Sequence, residues 1–317
     1  MIGAIEAGGT KIICALARPE DGAIVARARI DTVSPAVTFP DIDAFFEKAA
    51  ADHGAIAAFG VASFGPLDID PRSPGYGDWG NTPKSAWRGA RWRDALGRFG
   101  APIAYDSDVN GAALGEWSAG AGRGCETLAY TTVGTGIGTG VVHRGHSRIG
   151  FSHYEAGHIR ARRDPARDPF GGACGVHGDC LEGLASGPGI AARWGHGLSE
   201  FADPAAPTQL IASYLAQLAA SLVLLHMPDR LIFGGGVMKA PGLIEALRAA
   251  TLAELAGYVD DPRLDAGLKR YIVTPELGDD AGISGAVLIA KRLLTAAYST
   301  SSTASPQPSA SGSVDDT

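Results

Sequence analysis

Two short apolar runs open the chain, at 2–6 and 12–17, and the break between them is Ala7-Gly8-Gly9-Thr10-Lys11. That pattern predicts strand, glycine turn, strand. A third strand is predicted from Ala23 to Ile30, after the turn Pro19–Gly22, so the chain should begin as an antiparallel meander. Ile42, Phe45, Phe46 and Ala49 recur at helical spacing and predict a helix over 41–52. Ala57 to Ser63 reads as a buried strand ending at Gly65-Pro66. Residues 68–84 are rich in Asp, Pro and Gly and read as a long loop, which in a compact domain should contact substrate or a partner subunit.

The pattern then repeats. A strand at Ile103–Tyr105 runs into Asp106-Ser107-Asp108-Val109-Asn110 and a helix over 111–118. A strand at Leu128–Val133 ends in Gly134-Thr135-Gly136-Ile137-Gly138, and Val141-Val142 continues beyond the turn. Residues 208–227 give the longest helix, with Leu210, Tyr214, Leu218, Leu222 and Leu225 on one face. A strand at Arg230–Phe233 leads into Gly234-Gly235-Gly236, and a last helix spans 281–298, with Asp279 or Asp280 as its N-cap. Residues 299–317 are rich in Ser, Thr and Pro, contain no aromatic residue, and predict a disordered tail. Alternating strands and helices make the class α/β. Strand, glycine turn, strand occurs at 2–17 and again at 128–142, which suggests a duplicated fold with a cleft between its halves.

With 317 residues, the chain is long enough for roughly two domains. A net charge of -7 gives a nucleic-acid partner no electrostatic support. Of four cysteines, Cys14 and Cys125 sit in apolar or Gly-rich surroundings and read as small buried hydrophobes. No disulfide framework is implied, which favours a reducing cytoplasm. The first residues lack the basic region of a signal peptide. Ser221, Gln217 and His226 interrupt the apolar stretch 210–227, so it reads as a core helix and not a membrane span.

Candidate chemistry concentrates in one segment. His158, Cys174, His177 and Cys180 form a two-cysteine, two-histidine set, the complement of a closed tetrahedral zinc site. Glu155 and Glu182 flank it, and a metal-stapled loop would present these carboxylates rigidly to the hydroxyls of a polyol. Three glycine turns stand at strand ends, at 8–11, 134–138 and 234–236, and their amides can converge on phosphate oxygens. No Walker A loop occurs. The literal G-x-G-x-x-G at Gly75–Gly80 lies in the Pro/Asp loop with no helix behind it, and it is rejected as a dinucleotide fingerprint. Asp108, between a strand and a helix, is the candidate base, and nearby helix amides should favour its ionised form. Helix capping would explain one of Asp106 and Asp108. Asp68, Asp70 and Arg72 read as a solvated turn, and Arg160, Arg162, Arg163 and Arg167 as a solvated strand edge. His143 and His146 read as polar loop or edge residues, while His153 draws notice because it stands close to Glu155.

Taken together, these residues resemble the ROK family of bacterial sugar kinases and sugar-responsive repressors, and within it the fructokinases. The resemblance covers about 2–296. It rests on Glu6-Ala-Gly-Gly-Thr-Lys11, Phe64-Gly-Pro66, Asp106 to Glu116, Val133 to Gly138, Ser152 to His158, the Cys/His cluster, Glu182 to Pro188 and Gly234 to Met238. It implies an actin-like ATPase (ribonuclease H-like) duplicated fold with ATP in the interdomain cleft. Residues 1–110 with 281–298 would form the small domain and 111–280 the large one. It implies that Asp108 takes the proton of the sugar hydroxyl and that Glu155, His158 and Glu182 bind sugar hydroxyls, with His158 also on zinc. Thr10, Lys11, Thr135, Gly234, Gly235 and Gly236 would line the nucleotide site. Mg²⁺, structural Zn²⁺ and a homodimer follow from the same resemblance. Two departures, Glu6 in place of the superfamily's Asp and C-x-x-H-x-x-C in place of three cysteines, point to the fructokinase branch. The function so implied is phosphorylation of D-fructose to fructose 6-phosphate. Kinases for mannose, glucose or an N-acetylated hexosamine, and a noncatalytic sugar sensor, are the alternatives.

Overall fold

In the computed structural model, which describes residues 1–264 and 266–302, the chain forms two five-stranded sheets. Strands β1 (Ile2–Ala7), β2 (Lys11–Ala17) and β3 (Ile24–Asp31) form the expected antiparallel meander. Helix α1 (Pro35–His53) then crosses to β4 (Ala58–Ser63), which pairs parallel to β1. Helix α2 (Trp92–Leu96) precedes β5 (Ile103–Ser107), parallel to β4, and completes the order β3-β2-β1-β4-β5. Helix α3 (Asp108–Ala119) leads to the second sheet, which begins as the antiparallel strands β6 (Thr127–Val133), β7 (Ile137–His143) and β8 (His146–Ser147). After α4 (Leu181–Ala185), α5 (Gly187–Trp194) and α6 (Ala205–His226) comes β9 (Arg230–Gly234), parallel to β6. Helix α7 (Leu243–Leu255), β10 (Ile272–Val273) and α8 (Ala281–Ser302) follow, and this sheet has the order β10-β9-β6-β7-β8. Both sheets are therefore a meander extended by parallel strands, the duplication suggested by the repeated strand–turn–strand pattern.

The period of two along β1 sorts its side chains. Ile2 and Ala4 pack with Ile283, Ala286 and Ala290 of α8. Ile5 and Ala7 point the other way, into an aromatic core with Phe46, Phe59, Trp87 and Trp92. The second sheet is covered on one face by α6 and α7, and on the other by α3 with the start of α8. Thus α8 lies on the first sheet, α3 on the second, and the two helices pack against each other.

Several local details depart from the pattern. Helix α1 starts at Pro35, behind Ser34 in extended conformation, and runs through Pro40. Proline costs nothing at the first helical position, and apolar spacing carried the helix past the second one. Helix α3 begins at Asp108, because its N-cap is Ser107, whose Oγ accepts from the Asn110 amide at 3.2 Å. Neither Asp106 nor Asp108 is the cap. Asp279 and Asp280 do not cap α8 either. They lie in a 3-10 turn over 278–280 that runs into it, and they pair with Lys239 and Arg27. Helix α8 continues to Ser302, into the segment expected as tail; residues 303–317 lie outside the described residues. Of the face predicted for α6, Tyr214, Leu218 and Leu222 are buried but Leu225 is 76% exposed, and Ile211 and Leu215 are buried beside them. Helix α6 is long and apolar enough to cross a membrane, but those residues are packed in the core of the second sheet. The arginine run is held by ion pairs of Arg160 and Arg163 with Asp179 and of Arg162 with Glu254, and it is not a strand.

Glycines set the α3–α8 spacing. A Cβ on Gly285 would lie 1.8 Å from the Gly111 carbonyl oxygen, and one on Gly115 would lie 2.0 Å from that of Ala281. Overpacking of this kind costs about 1–3 kcal/mol or more, and each kcal/mol lowers the melting temperature of a protein of this size by about 2–4 °C. Gly285→Ala should therefore melt several degrees below wild type in a thermal denaturation experiment. Gly97→Ala is the control. Its φ of -62° suits alanine and no atom lies within 4 Å, so the melting temperature should hold or rise slightly.

Candidate functional site

Strand β5 hands directly to α3, and this junction positions two carboxylates differently. Asp106 is fully engaged: Oδ1 accepts from Asn110 Nδ2 at 2.6 Å and the Ser107 amide at 2.8 Å, and Oδ2 accepts from Ser147 Oγ at 2.7 Å. Asp108 accepts only from the Val109 amide, at 2.8 Å through Oδ1, and lines the main cleft. Its second oxygen has no hydrogen-bond partner among the described residues. Burial raises the pKa of both groups. For Asp108 the Val109 amide and His153 oppose the rise, and Glu155 adds to it. The expectation that helix amides hold Asp108 ionised is thus corrected: loss of solvent outweighs them. A carboxylate with a raised pKa is also the stronger proton acceptor.

Beside this pair stands a second group of side chains. His153 Nε2 lies 2.9 Å from Glu155 Oε1, and His158 Nε2 is 4.0 Å from both Glu155 Oε2 and Glu182 Oε1. Glu182 Oε2 accepts from the Ile137 amide at 2.9 Å, across the glycine turn between β6 and β7. A Cβ on Gly136 would come within 2.7 Å of that oxygen, so glycine is needed there for the approach. The hydrogen bond to His153 is the largest influence on Glu155 and lowers its pKa. For His153 burial works against the charge, but Glu155, Asp108 and Asp106 prevail and the pKa rises. Glu155, His158 and Glu182 are therefore brought together as expected. His153, singled out only by its nearness to Glu155 in the sequence, joins them.

The four metal-type residues also converge, their ligand atoms all lying within 4.8 Å of one another. His158 Nδ1 is 3.9 Å from Cys174 Sγ and 3.5 Å from Cys180 Sγ, and His177 Nδ1 is 3.8 Å from Cys174 Sγ. A tetrahedral zinc with Zn–S of about 2.3 Å and Zn–N of about 2.0–2.1 Å requires S···N edges of about 3.6 Å. The donor set and its spacing fit that ion. His158 turns Nδ1 to this centre and Nε2 to the two glutamates.

The third part is a cleft of about 400 Å³ between the two sheets. Lys11, Asp108 and Gly234 to Gly236 line it, as expected, together with Ala281 and Gly282 at the start of α8. Thr10 and Thr135 stand exposed and are not part of that lining. Glu6, Tyr130, Thr132 and Thr274 are lining residues that the sequence reading did not place in the site. Glu6 had a legible signal, a charge inside an otherwise apolar strand. Thr274 had none. Glu6 Oε2 is buried without a hydrogen-bond partner among the described residues, and its carboxyl packs where a Cβ on Gly282 would lie 2.6 Å from Cδ.

Known proteins share this sequence pattern and this fold. A profile of the ROK family matches residues 2–293. The chain is 41% identical over 296 residues to the fructokinase of Zymomonas mobilis subsp. mobilis, covering 91% of this chain and 95% of that protein. It is 38% identical over 297 residues to the fructokinase of Pediococcus pentosaceus, covering 93% and 99%. Among solved structures, the ROK hexokinase from Thermus thermophilus is 28% identical, with a TM-score of 0.73 over 93% of this chain and 99% of that one. A ROK family glucokinase from Streptomyces griseus, in complex with glucose and AMPPNP, is 26% identical, with a TM-score of 0.68 over 92% and 99%.

Burial, against the pull of Lys11, moves the Glu6 carboxyl from 4.5 up to about 7. Between those values the unfolded chain gives up the proton and the folded protein keeps it, so stability falls as pH rises through this window. Glu6→Gln removes that penalty. The variant's melting temperature relative to wild type should therefore be higher at pH 7.5 than at pH 4.5, and an equal difference at both would refute the assignment.

Proposed function

The chain belongs to the ROK family, and from that premise we propose that it is an ATP-dependent kinase acting on the primary hydroxyl of a hexose, with D-fructose preferred. One observation carries the reading. Asp108 keeps one carboxylate oxygen without a partner at the point where the glycine-lined cleft meets the Glu155, His158 and Glu182 group. That is where a sugar hydroxyl and a terminal phosphate must meet. The preference for fructose rests on the fructokinases, at 41% and 38% identity.

In the reaction, Asp108 accepts the proton of the sugar hydroxyl. The hydroxyl oxygen forms a bond to the γ-phosphorus as the bond to the β–γ bridging oxygen breaks, and ADP departs. Asp106, held on both oxygens, fixes the β5–α3 junction and through it the direction of Asp108. Glu155, Glu182 and His158 Nε2 grip the other hydroxyls. Lys11 and the amides of Gly234 to Gly236 hold the nucleotide, with Thr10 and Thr135 reaching it when the cleft closes. Mg²⁺ bound with the nucleotide would neutralise phosphate charge, and Glu6, whose Oε2 has no partner among the described residues, would be a carboxylate to hold it. Positioning supplies most of the catalysis in such transfers.

Zinc at His158, Cys174, His177 and Cys180 would be structural and would anchor the loop carrying Glu182. Residues 1–110 with 281–298 would act as one domain and 111–280 as the other, closing on the nucleotide, with 299–317 dispensable. We also assign a cytoplasmic homodimer. Tyr154 stacks on His226 at 5.8 Å, which brings the segment of Phe151 to the end of α6, where Leu225 also stands exposed. A second subunit could cover that surface.

Asp108→Asn keeps the size and loses the proton acceptor. Turnover in an ADP-coupled assay should fall by about 10²–10⁴-fold, with calorimetric fructose affinity little changed. Asp106→Asn should be milder, since asparagine can still accept from Asn110 or Ser147. If Asp106→Asn proves the more damaging, the base is misassigned.

Metal analysis of purified protein should find one zinc per chain. Cys180→Ser should lose that zinc, melt earlier and bind fructose more weakly. Full activity in a zinc-free preparation would refute the structural role.

A further inference from the structure

The loop at 68–84 is not loose. Trp79 donates from Nε1 to the Phe64 carbonyl at 3.0 Å, and Trp87 donates from Nε1 to that of Val33 at 3.3 Å. The Phe64, Trp79 and Trp87 rings pack with centroids 4.8 to 5.4 Å apart. Arg88 Nε closes the segment on the Thr82 carbonyl at 2.9 Å. Between these anchors lies Lys84. Its stem passes the first glycine turn, where a Cβ on Gly9 would be 3.4 Å from Lys84 Cε. Its ammonium lies 6.0 Å from the Phe64 ring centroid. Gly65, the next residue, backs onto the His153 ring, where its Cβ would lie 3.1 Å from Cε1. Lys84 therefore stands beside the glycine turn at Gly8-Gly9 and next to Phe64, whose neighbour Gly65 backs onto His153.

The ammonium has no carboxylate within salt-bridge distance and no hydrogen bond among the described residues. The Phe64 contact is at the outer limit of a cation–π interaction and is too weak to explain a half-buried cation. A rigid loop presents this unpaired charge, so little reorganisation opposes its use when negative charge arrives. In an acidic chain, the group that completes such a position is a polyphosphate.

We propose that Lys84 is a catalytic residue that donates from Nζ to the transferring γ-phosphoryl group, stabilising its charge as it passes to the sugar hydroxyl. This deepens the kinase reading and rests on it. The hydroxyl proton still goes to Asp108 and the electron pair of the broken bond still leaves with ADP. Lys84 gives up no proton and forms no covalent bond.

Lys84→Met keeps the stem against Gly9 and Phe64 and deletes the charge. Its turnover with fructose and MgATP should fall about 10²–10³-fold, the usual cost of one preorganised donor, while fructose KM and melting temperature stay near wild type. Lys84→Arg should recover part of the loss, and added ethylammonium should partly rescue Lys84→Ala. Those two responses exclude a purely packing role. Lys84→Gln, equally uncharged, serves in place of Lys84→Met should that variant misfold. If wild type makes no hexose phosphate from fructose, glucose or mannose, the kinase reading fails. If wild type turns over and Lys84→Met stays within about threefold of it, or loses only fructose affinity, the kinase reading stands and the role of Lys84 is overturned.

Discussion

The close crossing of α3 and α8 is the constraint on which the remaining architecture depends. Two sheets built on one plan must meet, and each brings a helix to the junction. Gly111 and Gly115 on α3 and Gly285 on α8 remove the side-chain layer between them, and Gly60 on β4 lets α8 sit on the first sheet, where a Cβ would lie 2.1 Å from the Ala286 carbonyl oxygen. Backbone then meets backbone. The buried Glu116 adds a polar clamp, accepting from the amides of Ala121, Glu276 and Leu277 at 2.7, 3.1 and 2.9 Å. Each of these bonds makes good part of the cost of burying a carboxylate. The clamp fixes the loop before α8, and with it Gly278 and Asp279 on the cleft wall. Asp108, Gly282 and Glu6 stand together as a consequence of this crossing.

The cleft so formed is electrostatically paradoxical. A chain of net charge -7 places Glu6, Asp108 and Asp279 on the wall proposed to hold a polyphosphate. Like charges about 4 Å apart repel by about 4 kcal/mol at the effective dielectric of a protein surface, more than one hydrogen bond returns. Burial lessens the conflict by raising the pKa of Glu6 and Asp108, so that each carries its charge less readily. Lys11 and the glycine amides oppose it directly. A divalent cation arriving with the nucleotide would change the sign of the remainder. Such a cleft would suit a metal–nucleotide complex better than the bare anion.

Much of this was legible in the sequence, and what was not has identifiable causes. The meander, the buried β4, the long helix α6 and the duplicated plan follow from apolar periodicity, which is the signal that burial writes most strongly. Ser107 was overlooked as the cap because two aspartates flank it and each is an equally good cap by type; only the backbone geometry decides among them. Helix α1 extends back through Pro40 to Pro35, beyond the 41–52 that apolar spacing predicts, and no local rule shows that packing of Ile42 and Phe46 outweighs the proline. The grouping of Glu155, His158 and Glu182 followed from the family resemblance and His153 was noticed beside Glu155, but the approach of His153 to Asp106 and Asp108, from the other half of the fold, was not legible. Lys84 was invisible for the same reason: nothing in Asn81-Thr82-Pro83-Lys84 says that it folds back onto Gly9.

His158 joins the proposed metal centre to the proposed sugar site, and its two ring nitrogens divide the work. Nδ1 faces Cys174 and Cys180, and Nε2 faces Glu155 and Glu182. A nitrogen that ligates a metal cannot carry a proton, so metal at Nδ1 would leave the proton on Nε2 of a neutral imidazole. His158 would then be a fixed donor between two carboxylate acceptors. A hexose hydroxyl entering there can accept from the histidine and donate to a glutamate at once, so its orientation is selected by where donors and acceptors stand. Without the metal the tautomer is free and the ring can turn. The surrounding segment would then have to hold three sugar ligands without that anchor. A metal placed one side chain away from the substrate would give rigidity and a defined proton position while leaving the reacting hydroxyl to Asp108.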